Sequence, residues 1–153
     1  MEKEKLKKIE KVSEDFFDRL GMKVKLALEE LEGAVKIKVE GEDLGILIGH
    51  HGETLDSLQL LLTLIVNKEL GEESWQRIVL DVGSWRNERE EALKKLTDEA
   101  AKKASKEGSA ALPPMNSSER RFVHLFLEAY PQLTSHSEDE GINRHIVITT
   151  KSE

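Results

Sequence analysis

The sequence predicts an α+β chain of two small domains, one over residues 1–83 and one over residues 84–153. Three observations carry that prediction. A helical repeat followed by two alternating segments, a leucine-rich helical stretch and a final apolar run gives the order α-β-β-α-α-β. A glycine-bounded interruption, Gly49-His50-His51-Gly52, splits the helical part in two. Beyond Ser84 the pattern changes to a long, highly charged helix and a second set of short elements.

Leu6, Ile9, Val12, Phe16 and Leu20 recur at three- and four-residue spacing with Gly21 just past them, so the first element reads as an amphipathic helix with a glycine stop. Val24, Leu26 and Leu28 alternate with polar or small residues. Glu32-Gly33 then turns the chain into the alternating Val35, Ile37 and Val39, a hairpin pattern. Gly45-Ile46-Leu47-Ile48 leads into the interruption, and Leu55, Leu58, Leu61, Leu62 and Ile65 are expected to form the buried stripe of the next helix. Ile78-Val79-Leu80-Asp81-Val82 reads as a third strand. In the second domain, Trp85, Ala92, Leu96 and Ala100 mark one face of the charged helix, which Gly108 ends and Pro113-Pro114 keeps from resuming. Asn116 followed three residues later by Glu119 is a capping-box signature for another helix, which ends near Tyr130-Pro131. A short strand near Leu133, a polar turn from Ser137 to Gly141 and a strand at His145-Ile146-Val147-Ile148-Thr149 complete the reading.

Composition narrows the function. The 153 residues are 38% hydrophobic and 35% charged, which suits modest cores in two small domains. The chain has no cysteine, so disulfides and thiolate metal sites are excluded. No apolar run reaches the roughly 18 residues needed to span a bilayer. The start at Met1-Glu2-Lys3-Glu4-Lys5 lacks the apolar core of a signal peptide, so a soluble, cytoplasmic protein without membrane insertion is expected. A formal net charge of −7 opposes polyanion binding through the whole surface, so any nucleic-acid site must be local.

Gly49-His50-His51-Gly52 alone is open to two readings. It is a plain turn between helices, or a loop whose missing Cβ atoms let a sugar-phosphate strand approach the start of the following helix. Its context decides more than its letters. With Ile48 before it and Thr54-Leu55-Asp56-Ser57-Leu58-Gln59 after it, inside the α-β-β-α-α-β order, residues 11–83 resemble a KH domain of type II topology. The resemblance implies that Ile48, Gly49, His50, His51 and Gly52 form a GXXG loop that clamps the backbone of about four nucleotides.

Arg120 and His124 are four residues apart, about 40° around a helix and so on one face. Phe122, Phe126 and Ala129 are expected to lie opposite, with Leu125 and Tyr130 extending the buried arc. That polar face, which also carries Arg121 and Glu128, is either a solvated surface or a contact surface. The segment Asn116-Ser117-Ser118-Glu119-Arg120-Arg121-Phe122-Val123-His124 resembles the R-3-H domain, with the similarity running over residues 85–150. The resemblance implies helices packed on a small sheet and binding of single-stranded nucleic acid. Arg120 would offer a planar donor fork to phosphate, His124 a hydrogen bond or a stacking ring, and Arg121 an auxiliary contact.

A KH domain followed by an R-3-H domain is similar to the Jag family, also called KhpB or the SpoIIIJ-associated protein, of bacteria. The resemblance implies a cytoplasmic single-stranded RNA-binding protein, with single-stranded DNA as the alternative ligand. It also implies a role in post-transcriptional control and cell elongation and a single-KH partner such as KhpA, with no enzymatic activity, cofactor or metal. Family members often carry a further N-terminal domain, whereas here the first helical pattern begins almost at Met1, the mark of a short homologue or of a piece of a longer chain. Their loop interior is commonly basic, whereas here it is His50-His51. Ordinary imidazoles, with a pKa of about 6.5, are mostly neutral at pH 7, so loop affinity is expected to rise as pH falls. The missing loop cations and acidic balance also suit a protein-interaction module of KH shape. An enzyme built on His124, His136 and His145 with Ser135, Ser137, Asp139 and Glu140 finds no support, since their spacing matches no catalytic or metal motif. Trp75 and Trp85 flank the third strand, where packing is the simpler role and base stacking the other.

Overall fold

The computed structural model describes residues 3–71 and 75–151, and the chain divides into two units, Met1–Arg86 and Asn87–Glu153. The first two residues of the charged start lie outside the described residues.

The first unit has the expected order: α1 (Lys3–Arg19), β1 (Val24–Leu31), β2 (Ala34–Gly41), the single turn α2 (Gly45–Ile48), α3 (Glu53–Leu70) and β3 (Arg77–Val82). The line α1 buries is Ile9, Ser13 and Phe17. It is rotated from the expected set, for Leu6, Val12 and Phe16 only flank the core and Leu20 is exposed. Ser13 is accommodated because its hydroxyl donates to the Ile9 carbonyl at 2.7 Å. At the helix end, Gly21 N–H donates to Asp18 O and Met22 N–H to Phe17 O, both at 3.0 Å. These are the two bonds of a Schellman motif, and Met22 packs on the core as that motif favours.

β1 and β2 pair antiparallel from Val24↔Gly41 to Leu31↔Ala34, around Glu32-Gly33. β3 lies parallel to β2, in the sheet order β1-β2-β3. A parallel pair needs a crossover connection, and α2 and α3 supply it, placing the glycine loop at their junction. Val35, Ile37 and Val39 of β2, with Ile78, Leu80 and Val82 of β3, share one core with Ile9, Phe17, Leu55, Leu58, Leu62 and Val66. Each fully buried leucine or isoleucine there contributes about 1.5–3 kcal/mol.

α3 corrects its expected stripe. It buries Leu55, Leu58, Leu62, Thr63 and Val66, whereas Leu60, Leu61, Leu64 and Ile65 are 60, 50, 47 and 38% exposed. A helix apolar nearly all round gives periodicity no means of choosing its inward face.

The second unit holds α4 (Trp85–Glu107) from Asn87 on, then β4 (Ser109–Ala111), α5 (Ser117–Phe126), a 3-10 turn at Leu127–Ala129, β5 (Leu133–Glu138) and β6 (His145–Thr150). β6 is central, paired antiparallel with β4 and with β5. β4 is an element the sequence did not announce. It is three residues long, and the pairing continues past it as Leu112 N–H donates to Ile146 O at 2.8 Å and Met115 N–H to Arg144 O at 3.1 Å.

α4 buries Leu93, Thr97, Ala101 and Ala104, with Leu96 and Ala100 at the margin and Ala92 exposed. The inward face is therefore one residue round from the expected one, because Thr97 enters the core with its hydroxyl bonded to Leu93 O at 2.7 Å. α5 has its capping box: Glu119 N–H donates to Asn116 Oδ1 at 2.9 Å and Asn116 N–H to Glu119 Oε2 at 3.2 Å. Its buried line is Glu119 and Val123, continued by Leu127. Phe122 and Tyr130 pack at the side, while Leu125 and Ala129, expected in the buried arc, are exposed. The Tyr130 hydroxyl donates to the Asp98 carboxylate of α4. Lys102 first, and then this hydroxyl, hold Asp98 below the usual carboxylate range, while Asp98 raises the Tyr130 phenol.

Candidate nucleic-acid interface

The loop of the first unit is shaped by its own neighbours before any ligand is considered. Gly49 has φ 70° and ψ −165°, a region essentially restricted to glycine, and a Cβ there would fall on the Thr54 side chain. Gly52 is left-handed at φ 79°, and a Cβ on it would stand 2.5 Å from the Trp85 ring. His51 between them is also left-handed at φ 51°, a conformation histidine adopts more readily than most side chains. The consequence is a tight backbone reversal directly into α3, whose N-cap is Gly52 and whose first turn has no side-chain cap.

His50 is exposed and His51 half-buried, their rings edge to face with centroids 4.0 Å apart. Ile48 is half-buried and packs on the core, so of the five expected loop residues it is the structural anchor. Ile46, two residues earlier, is 71% exposed beside the loop and was not singled out by sequence. The first turn of α3 carries Glu53 and Asp56, and Asp56 is paired with Arg86 at 2.9 Å. The loop thus combines an open helix start with little fixed positive charge.

In the second unit, Arg120 and His124 lie half-buried along one flank of the Glu119 and Val123 line. Each is held from a different direction. An Arg120 terminal nitrogen donates to Met115 O at 2.7 Å, and His124 Nδ1 is 2.7 Å from Ser135 Oγ on β5. Neither partner is visible from helical spacing; they arise from the chain entering α5 and from strand register. Arg121 is exposed. Beneath them, Glu119 is buried and accepts from Arg89 Nε of α4 at 2.6 Å.

The other histidines have separate partners: His136 Nε2 lies 2.8 Å from Glu138, and His145 Nδ1 lies 3.0 Å from Asn143 O. Trp85 is packed against the first core and Gly52, while Trp75 is 64% exposed. Trp85 therefore takes the packing role, and Trp75 does not. Among the described residues no helix is long and apolar enough to cross a membrane.

A family model for the KhpA/KhpB KH domain matches residues 7–79, and one for the R-3-H domain matches residues 91–150. Fold and motifs define a tandem KH and R-3-H protein, and neither domain type is an enzyme. The chain is 38% identical over 143 residues to RNA-binding protein KhpB of Clostridium symbiosum, covering 92% of this chain and 64% of that one. It is 34% identical over 129 residues to RNA-binding protein KhpB of Bacillus subtilis (strain 168), covering 82% and 61% respectively. For RNA-binding protein KhpB of Streptococcus pneumoniae serotype 2 the identity is 25% over 135 residues, covering 88% and 40%. Over most of its own length the chain is similar to these RNA-binding KhpB proteins. It spans less than two thirds of the length of these relatives.

Proposed function

We propose that the chain binds single-stranded RNA in the bacterial cytoplasm and acts post-transcriptionally, in the control of cell elongation. The observation that carries this reading is the presence, in one chain, of a GXXG loop opening onto an uncapped helix start and of Arg120 beside His124 on α5. The relatives named above as RNA-binding proteins support it. The loop admits a sugar-phosphate backbone to the N–H groups at the start of α3. Arg120, braced by Met115, offers its remaining donors to a second phosphate, with Arg121 adding charge.

The test is affinity for a short uridine oligonucleotide as a function of salt. Arg120→Gln is expected to weaken binding about tenfold, and to reduce the salt slope by about 0.7, one phosphate contact on a single strand. A matching deoxy-oligonucleotide tests the alternative ligand. No binding to either at low salt would overturn the proposal.

A second reading concerns a partner. Leu60, Leu61, Leu64 and Ile65 form an exposed apolar stripe on α3, of the kind that marks an interaction site. We propose that its occupant is the KH domain of a KhpA-type protein. One family model describes both KhpA and KhpB KH domains, and a helix stripe of this kind can pack against its like across a two-fold axis. Leu61→Glu with Leu64→Glu is expected to weaken that association at least about tenfold, at the cost of burying unpaired carboxylates. Sedimentation of the mixed proteins measures it; undiminished association with the fold intact would place the interface elsewhere.

A further inference from the structure

We infer that Ser135 is a positioning residue that sets the tautomer of His124, presenting Nε2–H as a donor while the ring is neutral. The inference deepens the reading of the α5 face as a phosphate-contacting surface and, for its functional part, rests on it.

The geometry begins with strand register. Ser135 is half-buried on β5 opposite Ile148, which lies in the core. Its neighbours on that face, Leu133 and Ser137, sit opposite Thr150 and Ile146. Alternation along the strand therefore sends the Ser135 hydroxyl inward, toward α5. There it meets His124 Nδ1 at 2.7 Å, leaving Nε2 as the ring nitrogen with no hydrogen bond among the described residues.

The chemistry follows from what a hydroxyl can do. A neutral imidazole carries one N–H, and the hydrogen bond made by one nitrogen fixes the state of the other. Were the partner a carboxylate or a backbone carbonyl, it would only accept, forcing the proton onto Nδ1 and leaving Nε2 a bare lone pair. Such a nitrogen repels phosphate oxygen. A serine hydroxyl can do either: donating to Nδ1 it leaves the proton on Nε2, and it turns round to accept if the ring becomes doubly protonated. In both states Nε2–H is the free donor. One turn earlier, Arg120 is braced by an accepting carbonyl, which suits a side chain that only donates. The two contact residues are each matched to a support of the right polarity.

The experiment is long-range ¹H–¹⁵N spectroscopy of the histidine rings in the full chain without RNA, with oligonucleotide affinity measured alongside. In the wild type the neutral His124 ring is expected to show the Nε2–H pattern. Ser135→Ala should give mixed tautomers and about three- to tenfold weaker binding of a short uridine oligonucleotide. Ser135→Thr, which keeps the hydroxyl and suits a strand, should restore both. A wild-type ring protonated on Nδ1, or a tautomer unchanged in Ser135→Ala, overturns the inference. Failure of the RNA reading is distinguishable: His124→Ala would then leave affinity unaltered while the ring spectra of the Ser135 variants still respond.

Discussion

Replacing His50 and His51 together by aspartate is expected to weaken single-stranded RNA binding about thirtyfold. Two carboxylates brought within about 4 Å of phosphate cost about 1 kcal/mol each even in water-like surroundings. The loop holds no fixed cation between its glycines to offset them, and Glu53 already stands at the start of α3. The fold should tolerate the change, since position 51 has φ 51° and aspartate is among the side chains that accept that region. Fluorescence anisotropy with a labelled oligonucleotide reads the loss, and circular dichroism checks the fold. Replacing the pair by glutamine instead should flatten the pH profile. A charged imidazole attracts phosphate where a glutamine amide does not. Equal affinities for wild type and the aspartate variant would remove the loop from the interface.

Glu119→Ala is expected to destabilise the second unit by about 3 kcal/mol. The Glu119 carboxylate is 8% exposed and does two jobs at once, accepting from Arg89 Nε and closing the capping box with Asn116 N–H. Removing it leaves a guanidinium beside the core without this partner and one end of α5 without its reciprocal cap. Glu119→Gln keeps a cap acceptor and should lose less. Urea unfolding followed by amide resonances of β5 and β6 measures both. Because Arg120 is the next residue, Glu119→Ala should also loosen that side chain; an unchanged midpoint would show that the buried pair adds nothing to stability.

Local chemistry was legible in the sequence wherever one residue type fits one backbone state. Gly21, Gly33, Gly49 and Gly108 stand where the turns and helix ends fall, and Asn116 with Glu119 forms the cap that their spacing predicts. Faces were harder. Ser13, Thr97 and Glu119 are buried polar residues whose hydrogen bonds admit them to cores, so hydrophobic periodicity skipped them and rotated each inward line. On α3 the difficulty was the opposite, with leucines on both sides of the helix. β4 escaped because a three-residue strand has no pattern of its own and exists only through its ladder to β6. The candidate site was legible as letters, but its supports were not. Met115 and Ser135 become neighbours of Arg120 and His124 only once chain entry and strand register are known.

The contact between Gly52 and Trp85 has an optical consequence. Trp85 is one of two tryptophans in the chain, and its ring lies against the second glycine of the loop. The other, Trp75, is 64% exposed, so a water-soluble quencher reaches it first. The emission that survives quenching comes chiefly from the indole beneath the loop, giving the unlabelled protein an intrinsic fluorophore that reports on the loop's surroundings.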